Sequence, residues 1–334
     1  MLLAKTPLRI TFMGGMTDYP EFFKVDGQFG CTLSTTIDKF VYLTLLEQPL
    51  FEKTRFKFQY RDTEEVNDIG EFKNRIVREI LKSLDWDKPI SIGTTADLPG
   101  RSGLGSSSSF VVSLIGALNT QLEKKFTKLQ LVDSAIEIER GVLNEFGGYQ
   151  DQFIAGIGGF RFYEYSKSKI AYSKNMVDSE FGIFLNKSIV LVANRNLQRD
   201  SFEYAKIIRE QILNNFKTSS NLLSEIAQLT KQTYKILNSV IENSVKLEHL
   251  AHGVNESNRV KSIFLKDSYY KINESIRIGL QNGALAGKLC GAGGTGFILF
   301  LVAPDRMENF LNNYDKNLVI LPNFEKQGFR IKQI

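Results

Sequence analysis

The chain reads LPGRSGLGSSSS from Leu98 to Ser109, and apolar residues at helical spacing follow it directly. Glycines let a backbone approach an anion closely and adopt positive φ, while the free N–H groups and the dipole of a helix's first turn attract negative charge. A flexible Gly/Ser linker is the alternative, but linkers seldom run straight into so apolar a helix. We therefore predict a phosphate-binding loop, formed by Gly103, Leu104, Gly105, Ser106, Ser107 and Ser108.

This loop differs from two common kinds of phosphate loop. A Walker A loop has Lys and then Ser or Thr after its last glycine, whereas Ser106 follows Gly105 here. The protein-kinase signatures are missing as well, because neither His is followed by Arg-Asp and the nearest approach to Asp-Phe-Gly is Glu180-Phe181-Gly182. The sequence therefore predicts a phosphate loop of another kind.

Periodicity divides the chain into a β-rich part and a helical part. Strands are predicted before the loop, at Leu8–Phe12, Phe40–Leu45 and Phe56–Tyr60. After the loop, one helix begins near Ser107, and a second runs from Thr127, which has capping-box spacing to Gln130, to about Phe146. The later predictions are a buried strand at 183–194, two long helices in 201–250, a helix at 266–282 and a central strand at Phe297–Val302. We place a domain boundary near residue 185.

Composition and charge narrow the class of protein. A chain of 334 residues fits two domains or one large α/β unit. The net charge of +5 is spread along the chain, which disfavours a dedicated nucleic-acid surface and an RNA-binding module. Two cysteines, Cys31 and Cys290, and two histidines are too few for a disulfide framework or a three-histidine zinc site. Since we find no signal sequence and no run of roughly 18 apolar residues, we expect a cytoplasmic protein with no membrane partner.

A second glycine-rich segment runs from Gly291 to Gly296 and matches the glycine spacing of a dinucleotide-binding loop. A Rossmann turn follows a strand and opens into a helix, whereas this segment is predicted to follow a helix and to lead into the strand Phe297–Val302. We therefore reject dinucleotide binding. Two interpretations remain open: the backbone of the segment lies against a substrate or phosphate, or the segment is a tight helix-to-strand turn.

Two acidic residues are candidates for chemistry. Glu139 falls with Ile136 on the apolar stripe of the second helix, and a buried carboxylate needs a partner. That partner is either Mg²⁺ bridging nucleotide phosphates or a nearby Lys or Arg. Asp151, which follows Gly147 and Gly148, could polarise a hydroxyl for attack on phosphorus. A turn or helix-capping role is the commoner use of Asp beside Gly.

Three segments together resemble the three motifs of the GHMP kinases, the family of galactokinase, homoserine kinase, mevalonate kinase and phosphomevalonate kinase. They are TPLRITFMGGMTDY at Thr6–Tyr19, PGRSGLGSSSS at Pro99–Ser109 and KLCGAGGTG at Lys288–Gly296. The resemblance implies an α+β protein with ATP and substrate in a cleft between two domains. Residues 1–185 would form an N-terminal α/β domain with a left-handed crossover, and residues 186–334 would form a ferredoxin-like C-terminal domain.

The resemblance also implies roles for individual residues. It suggests Glu139 and Ser107, or Ser106, as Mg²⁺ ligands. It suggests Asp151 as the base or hydroxyl-orienting group and Arg9 as a cation beside the transferred phosphoryl group. In galactokinase-like members the Asp of the first motif, here Asp18, grips sugar hydroxyls. The other predicted substrate contacts are Gly14, Gly15, Thr17, Arg199, Gly293 and Gly294.

The first motif departs from the form that is common in the family. The common form is Gly-Glu-His-Thr-Asp-Tyr, and here it is GGMTDY at Gly14–Tyr19, which disfavours galactose. Together with STTIDK at Ser34–Lys39, it resembles the bacterial D-glycero-α-D-manno-heptose 7-phosphate kinases. Those enzymes phosphorylate the anomeric hydroxyl to give the 1,7-bisphosphate, on the route to GDP-heptose for surface polysaccharides. The resemblance therefore implies ATP and a small sugar phosphate as substrates.

A substrate that already carries a phosphate needs a cationic pocket. The candidates in the sequence are Lys5, Lys39, Arg101, Arg195 and Arg199. Arg199 is favoured because its segment follows a predicted strand and precedes a predicted helix. Two alternatives stay open: another sugar 1-kinase of this family, acting on fucose or galactose, and a non-catalytic sensor of nucleotide and sugar. The sequence also leaves open whether the chain forms a homodimer.

Overall fold

The computed structural model describes residues 1–49, 52–100, 102–194, 201–294 and 296–334. The strands in these ranges are β1 Leu2–Met13, β2 Gly30–Glu47, β3 Phe56–Gln59, β4 Thr63–Val66, β5 Ile90–Ala96, β6 Arg161–Tyr165, β7 Ile170–Tyr172, β8 Ile189–Asn194, β9 Ala286–Leu289, β10 Gly296–Leu301, β11 Val319–Ile320, β12 Phe324–Glu325 and β13 Arg330–Gln333. The helices are α1 Pro20–Phe23, α2 Arg75–Ser83, α3 Ser106–Gln121, α4 Lys128–Ile136, α5 Gln150–Ile157, α6 Glu180–Asn186, α7 Ser201–Asn214, α8 Phe216–Leu237, α9 Asn243–Leu265, α10 Tyr270–Gln281 and α11 Met307–Leu311.

The larger sheet is built on the long antiparallel pair of β1 and β2, and its main strand order is β13-β1-β2-β5-β3-β4. β5 pairs antiparallel with β2 but parallel with β3, and α2 lies in the connection from β4 to β5. The apolar residues of β1 that alternate with polar ones, Leu8, Ile10 and Phe12, are fully buried. This confirms that the part of the chain before the phosphate loop is rich in strands.

The smaller sheet has four antiparallel strands in the order β11-β8-β10-β9. Helices α7 to α10 connect β8 to β9, and α11 lies between β10 and β11. The fourth strand therefore lies beside the first and the third beside the second, which is the ferredoxin-like arrangement. The α+β fold class implied by the sequence is confirmed.

The end of the chain returns to the larger sheet. β12 pairs with β2, and β13 pairs with β1. Residues 324–333 are thus part of the sheet that the N-terminal half builds, although the sequence placed them in a domain of residues 186–334. The boundary near residue 185 remains a prediction.

Two predictions for the second half were wrong in part. Residues 183–186, predicted as strand, belong to the helix α6, which begins after Ser179 caps the N–H of Gly182; the strand starts only at Ile189. Residues 201–250, predicted as two helices, contain α7, α8 and the start of α9. The break falls at Asn215, whose φ of −124° and ψ of 40° are not helical.

The second predicted helix begins where expected and ends earlier. Thr127 and Gln130 form the capping box, and α4 continues into a π-helical segment at Glu137–Val142. Asn144 then adopts a left-handed φ of +53°, a conformation that commonly ends a helix, so the helix does not reach Phe146.

The strand β9 precedes the second glycine-rich segment, where the sequence predicted a helix. The segment therefore joins two strands of one hairpin, β9 and β10, and the helix that a dinucleotide-binding loop requires does not follow it. In the described parts of the chain we find no helix that combines the length and the apolar character needed to cross a bilayer.

Candidate active site

The phosphate loop turns sharply before α3. Gly103 and Gly105 adopt left-handed φ values of +75° and +78°, which suit glycine and strain other residues. Gly105 is the N-cap of α3 and provides no side-chain cap, so the N–H groups of the first turn remain available to an anion. The prediction that a glycine-rich loop leads into a helix is confirmed.

The second glycine-rich segment packs against the phosphate loop. The N–H of Phe297 donates a hydrogen bond to the carbonyl of Ser102 at 3.1 Å. The two backbones are so close that a Cβ on Gly103 would lie 2.6 Å from the carbonyl oxygen of Cys290. A Cβ on Gly291 would lie 2.8 Å from the Cα of Gly103. The glycines therefore permit a contact that fixes the phosphate loop against the β9–β10 hairpin.

Strand β1 holds the other side of the phosphate loop. The N–H of Arg9 donates to the carbonyl of Leu104 at 2.9 Å, and the hydroxyl of Ser109 donates to the carbonyl of Pro7 at 2.9 Å. The side chain of Leu104 is fully buried, so this residue anchors the loop by packing.

Arg9 connects the phosphate loop to Asp151. Its Nε donates to Oδ1 of Asp151 at 2.8 Å and its Nη2 donates to Oδ2 at 2.7 Å, while Nη1 donates to the carbonyl of Gly103 at 2.5 Å. Burial by itself lowers the pKa of Arg9, but the charge and hydrogen bonds of Asp151 raise it above its ordinary value. Asp151 lies in the first turn of α5, where Tyr149 is the N-cap, so a capping role does not account for it.

Glu139 lies in the π-helical segment, buried beside the first turn of α3. Its Oε1 accepts a hydrogen bond from the hydroxyl of Ser108 at 3.0 Å, and its Oε2 accepts one from the side-chain amide of Gln152. Since both donors are neutral, burial dominates and raises the pKa of Glu139 to about 8. Among the described hydrogen bonds, therefore, Glu139 is not held by the Lys or Arg that the sequence left as an alternative to a metal ion.

Asp18, which follows β1 in the sequence, is a buried carboxylate that contacts the start of α5. The backbone N–H of Gln150 donates to Oδ2 at 3.0 Å, and the N–H of Tyr149 donates to the carbonyl of Asp18 at 3.1 Å. A Cβ on Gly148 would lie 2.0 Å from Oδ2, so glycine at that position makes room for the carboxylate. Burial, aided by the nearby charge of Asp151, raises the pKa of Asp18 to about 6.

One cavity of about 590 Å³ brings most of the predicted residues together. The predicted residues that line it are Arg9, Gly15, Asp18, Gly103, Gly105, Ser106, Ser107, Ser108, Glu139, Asp151 and Gly293. Ser107 is exposed in the first turn of α3, next to the buried Ser108 that contacts Glu139. The structure thus joins the predicted phosphate loop, the candidate carboxylates Glu139 and Asp151 and the predicted sugar contact Asp18 in one space.

Some predicted substrate contacts lie behind the cavity wall. The hydroxyl of Thr17 donates to the carbonyl of Gly14 at 2.7 Å and accepts the N–H of Cys31 at 2.9 Å, and its side chain is fully buried. Gly14 has a φ of +80°, and a Cβ there would overlap the carbonyl of Cys31. Both residues shape the turn that presents Gly15 and Asp18. Gly294 is buried next to Gly293 and is not among the residues that line the cavity.

Two of the five basic residues proposed for a substrate phosphate, Lys5 and Lys39, belong to the described residues, and they lie outside the cavity lining. The Nζ of Lys5 lies 3.6 Å from the ring centroid of Phe40, and the Nζ of Lys39 lies 3.7 Å from Oδ1 of Asp38. Neither lysine lines the cavity. Arg101, Arg195 and Arg199 lie outside the described residues.

The structure adds cavity residues that the sequence analysis missed, among them Arg140, Lys261, Lys288 and Gln152. Lys261 lies one and two turns after the buried residues Ser257 and Val254 of α9, so helical periodicity could have shown that it faces the core. Lys288 is the first residue of the third motif, and the sequence alone indicated no role for it.

A carboxylate joins the two halves of the chain at the edge of the cavity. Oε1 of Glu21 accepts hydrogen bonds from Arg140 and, at 2.6 Å, from Arg209 of α7. Arg140 also donates to the carbonyl of Gly147 at 2.7 Å. Because two guanidinium groups share one carboxylate, the pKa of Glu21 lies below its ordinary value despite its burial.

Comparison with known proteins agrees with this geometry. The profile of the GHMP kinases N terminal domain matches residues 72–159, and the profile described as GHMP kinases C terminal matches residues 244–317. A D-glycero-alpha-D-manno-heptose 7-phosphate kinase from Campylobacter jejuni is 29% identical, with 98% of this chain and 97% of that protein aligned. A galactokinase from Clostridium perfringens is 22% identical, with 92% of this chain and 87% of that protein aligned.

Solved structures share the fold along the whole chain. The crystal structure of a D-glycero-D-manno-heptose 1-phosphate kinase from Bacteroides thetaiotaomicron has a TM-score of 0.77 and 23% identity, and the match covers 100% of this chain and 99% of that one. With both family domains present in order and the fold shared, the chain is a member of the GHMP kinases, and therefore a phosphotransferase that uses an alcohol group as acceptor.

Proposed function

We propose that this chain transfers the γ-phosphoryl group of ATP to the anomeric hydroxyl of D-glycero-α-D-manno-heptose 7-phosphate, giving the 1,7-bisphosphate. The similarity to the Campylobacter jejuni protein, which extends over nearly the whole of both chains, supports the substrate. The form of the first motif, GGMTDY, supports a sugar other than galactose. We place the reaction in the cytoplasm, where the product would supply GDP-heptose for surface polysaccharide.

The observation that carries the proposal is the contact of Arg9 with both Asp151 and the phosphate loop at Gly103. A carboxylate beside a loop suited to phosphates can take a proton from a hydroxyl that attacks phosphorus. Each carboxylate oxygen keeps a further lone pair after Arg9 has donated to it, so a sugar hydroxyl can bind Asp151 without displacing Arg9.

In the proposed step, the anomeric oxygen bonds to the γ-phosphorus and the bond from that phosphorus to the β–γ bridging oxygen breaks. ADP leaves with the electron pair, and the hydroxyl proton passes to Asp151. Arg9, the cationic partner of Asp151, offsets negative charge on the transferring phosphoryl group. Asp18 accepts a hydrogen bond from the N–H of Gln150 and would orient the sugar by accepting further hydrogen bonds from its hydroxyl groups.

The residues that would hold Mg²⁺ are Glu139 and Ser107. Glu139 fits a cation because it is a buried carboxylate whose described hydrogen-bond donors, Ser108 and Gln152, are neutral. Ser107 lines the same cavity from the first turn of α3. One or two carboxylates together with substrate phosphates are the usual ligands of Mg²⁺ in proteins. When bound, the ion would neutralise charge on the nucleotide phosphates.

The test is an ADP-release assay with ATP, Mg²⁺ and a panel of acceptors: the heptose 7-phosphate, the heptose 1-phosphate, galactose, fucose and mannose. The variant Asp151→Asn measures background ATP hydrolysis in each reaction. We expect turnover with the 7-phosphate and a new anomeric phosphate resonance by ³¹P NMR. Turnover of the 1-phosphate or of a free sugar instead would reject the proposed acceptor. Binding of ATP without turnover of any sugar would favour the sensor.

A further inference from the structure

Two buried lysines line the cavity at the end where the phosphate loop lies. Lys261 of α9 is 5% exposed and Lys288 of β9 is 6% exposed. The Nζ of Lys261 donates to the carbonyls of Leu289, at 3.3 Å, and Gly291. The Nζ of Lys288 donates to the carbonyl of Phe12 at 3.2 Å. Within the described residues neither ammonium group forms an ion pair with a carboxylate, so both charges rest on neutral partners.

A third polar group of the same wall has no hydrogen-bond partner among the described residues. Ser257 lies one helical turn before Lys261, lines the cavity and is 5% exposed. Its hydroxyl makes no hydrogen bond to any described residue. A buried hydroxyl without a partner costs free energy, and such groups are uncommon in native structures unless a ligand or water completes them.

The groups whose charges shift the pKa values of the two lysines do not supply a counter-charge near pH 7. They are Arg9, the two lysines themselves and Cys290, whose thiol pKa is raised by burial, so that the thiol stays neutral near pH 7. Burial, reinforced by Lys288, lowers the pKa of Lys261 to about 7, and burial lowers the pKa of Lys288 to about 8. A negatively charged ligand would reverse both shifts.

The wall still offers hydrogen-bond donors. An ammonium group has three donors, and the described contacts use two of those on Lys261 and one of those on Lys288. The carbonyl of Gly291 that Lys261 holds belongs to the segment in contact with Gly103 of the phosphate loop. The free donors therefore lie close to the position where phosphates are expected.

We propose that Ser257, Lys261 and Lys288 form a second phosphate subsite, next to the phosphate loop, which binds a terminal phosphate dianion. The phosphate group comes from one of two sources, the terminal phosphate of the nucleotide or the phosphate that the sugar carries. The second source rests on the proposed function, because it requires a phosphorylated sugar, whereas the first requires only nucleotide binding.

The informative variants are Ser257→Ala, Lys261→Met and Lys288→Met. Lys271→Met, on the exposed face of α10, is the control because it removes one positive charge outside the proposed subsite. Calorimetry measures the binding of metal-free ADP, inorganic pyrophosphate, the heptose 7-phosphate and the unphosphorylated heptose. Each titration is repeated in two buffers of different ionisation enthalpy, so that the number of protons taken up is obtained. Metal-free conditions prevent the loss of a proton from Glu139 to the buffer that the binding of a cation would cause.

We expect the lysine variants to bind the anion about 10- to 100-fold more weakly, because hydrogen bonds to charged groups are lost. They should also take up fewer protons than the parent, because each variant lacks one lysine whose pKa is lowered in the free protein. Ser257→Ala should weaken binding about 3- to 10-fold without lowering the melting temperature, since its hydroxyl has no partner to lose. Weaker binding of ADP and pyrophosphate alone assigns the subsite to the nucleotide. Weaker binding of the heptose 7-phosphate, with the free heptose unaffected, assigns it to the sugar.

Unchanged affinity and proton uptake for every anion in all three variants would overturn the proposal. A fall in melting temperature in the lysine variants with unchanged proton uptake would also overturn it, because the lysines would then serve only to hold the backbone carbonyls. If no heptose phosphate is a substrate, the proposed function fails, but ADP and pyrophosphate still test the subsite.

Discussion

Arg9 and Asp151 are separated by 142 positions in the sequence, yet their side chains form a two-point ion pair with N–O distances of 2.8 and 2.7 Å. The third donor of Arg9, Nη1, reaches the carbonyl of Gly103. Strand β1, the phosphate loop and helix α5 are therefore linked through one guanidinium group. Each element contributes one part of the proposed phosphoryl transfer.

Replacing Asp151 by Asn should lower kcat by about 10²–10⁴ while leaving nucleotide affinity nearly unchanged, because the amide keeps the shape but cannot take a proton. Steady-state kinetics and the binding of a non-hydrolysable ATP analogue measure the two effects. Asp178→Asn, which removes an exposed ion pair with Lys326, is the matched control and should keep full activity. A kcat within about twofold of the parent would remove Asp151 from the mechanism.

Replacing Gly103 by Ala should raise the KM for ATP at least tenfold, because the new Cβ would meet the carbonyl oxygen of Cys290 at 2.6 Å and push the phosphate loop from its position. Gly27→Ala is the control: Gly27 has a similar φ of +79°, but a Cβ there meets no atom within 4 Å. It should cost only the stability of a strained turn, about 1 kcal/mol, with KM unchanged. Equal effects on KM in both variants would mean that backbone strain, and not the contact between the loops, sets ATP binding.

Removal of Mg²⁺ should make stability depend on pH through Glu139. Its folded pKa of about 8 is above the ordinary value, so the stability that Glu139 contributes to the metal-free protein is complete below the ordinary carboxyl pKa and is lost as the pH rises through 8. Mg²⁺ favours the ionised form, and at about 100 times its dissociation constant it should add about 2.7 kcal/mol.

Thermal unfolding at pH 6 and pH 8, with EDTA and with Mg²⁺, measures this dependence. Asp18, Lys261 and Lys288 titrate in the same range, so the contribution of Glu139 is the difference in pH slope between the parent and Glu139→Gln, a variant that should also lose the response to Mg²⁺. Glu137→Gln, at an exposed neighbouring position, should keep the slope and the Mg²⁺ response of the parent. A full response to Mg²⁺ in Glu139→Gln would show that the ion binds elsewhere.

The KM for the sugar should depend on the ionisation of Asp18, whose pKa burial raises to about 6. The ionised carboxylate accepts sugar hydroxyl groups at both oxygens, so KM should fall about tenfold per pH unit up to the pKa and level off above it. Kinetics between pH 5 and pH 8 with saturating ATP test this. Asp18→Asn should give a higher KM without that inflection, and an inflection that persists in the variant would assign it to another group.

Local patterns were sufficient for the parts of the site that one segment forms. The glycines and serines before an apolar helix predicted the loop that leads into α3, and Glu139 on an apolar stripe predicted a buried carboxylate. The capping box of Thr127 and Gln130 placed the start of α4. The predicted end of this helix was wrong, because a regular helical spacing of apolar residues does not reveal the π-helical segment that contains Glu139.

The sequence by itself determined the phosphate loop, the helix behind it and the identity of the acidic residues, since backbone freedom and helical spacing act over a few residues. Tertiary structure alone decided which groups share the cavity. Ser108 and Gln152 donate hydrogen bonds to Glu139, and Gly14 and Thr17 form the turn behind Asp18. Lys288 donates a hydrogen bond to the carbonyl of Phe12, 276 positions away. Periodicity shows that a side chain is buried, but only the folded chain determines what it is buried against.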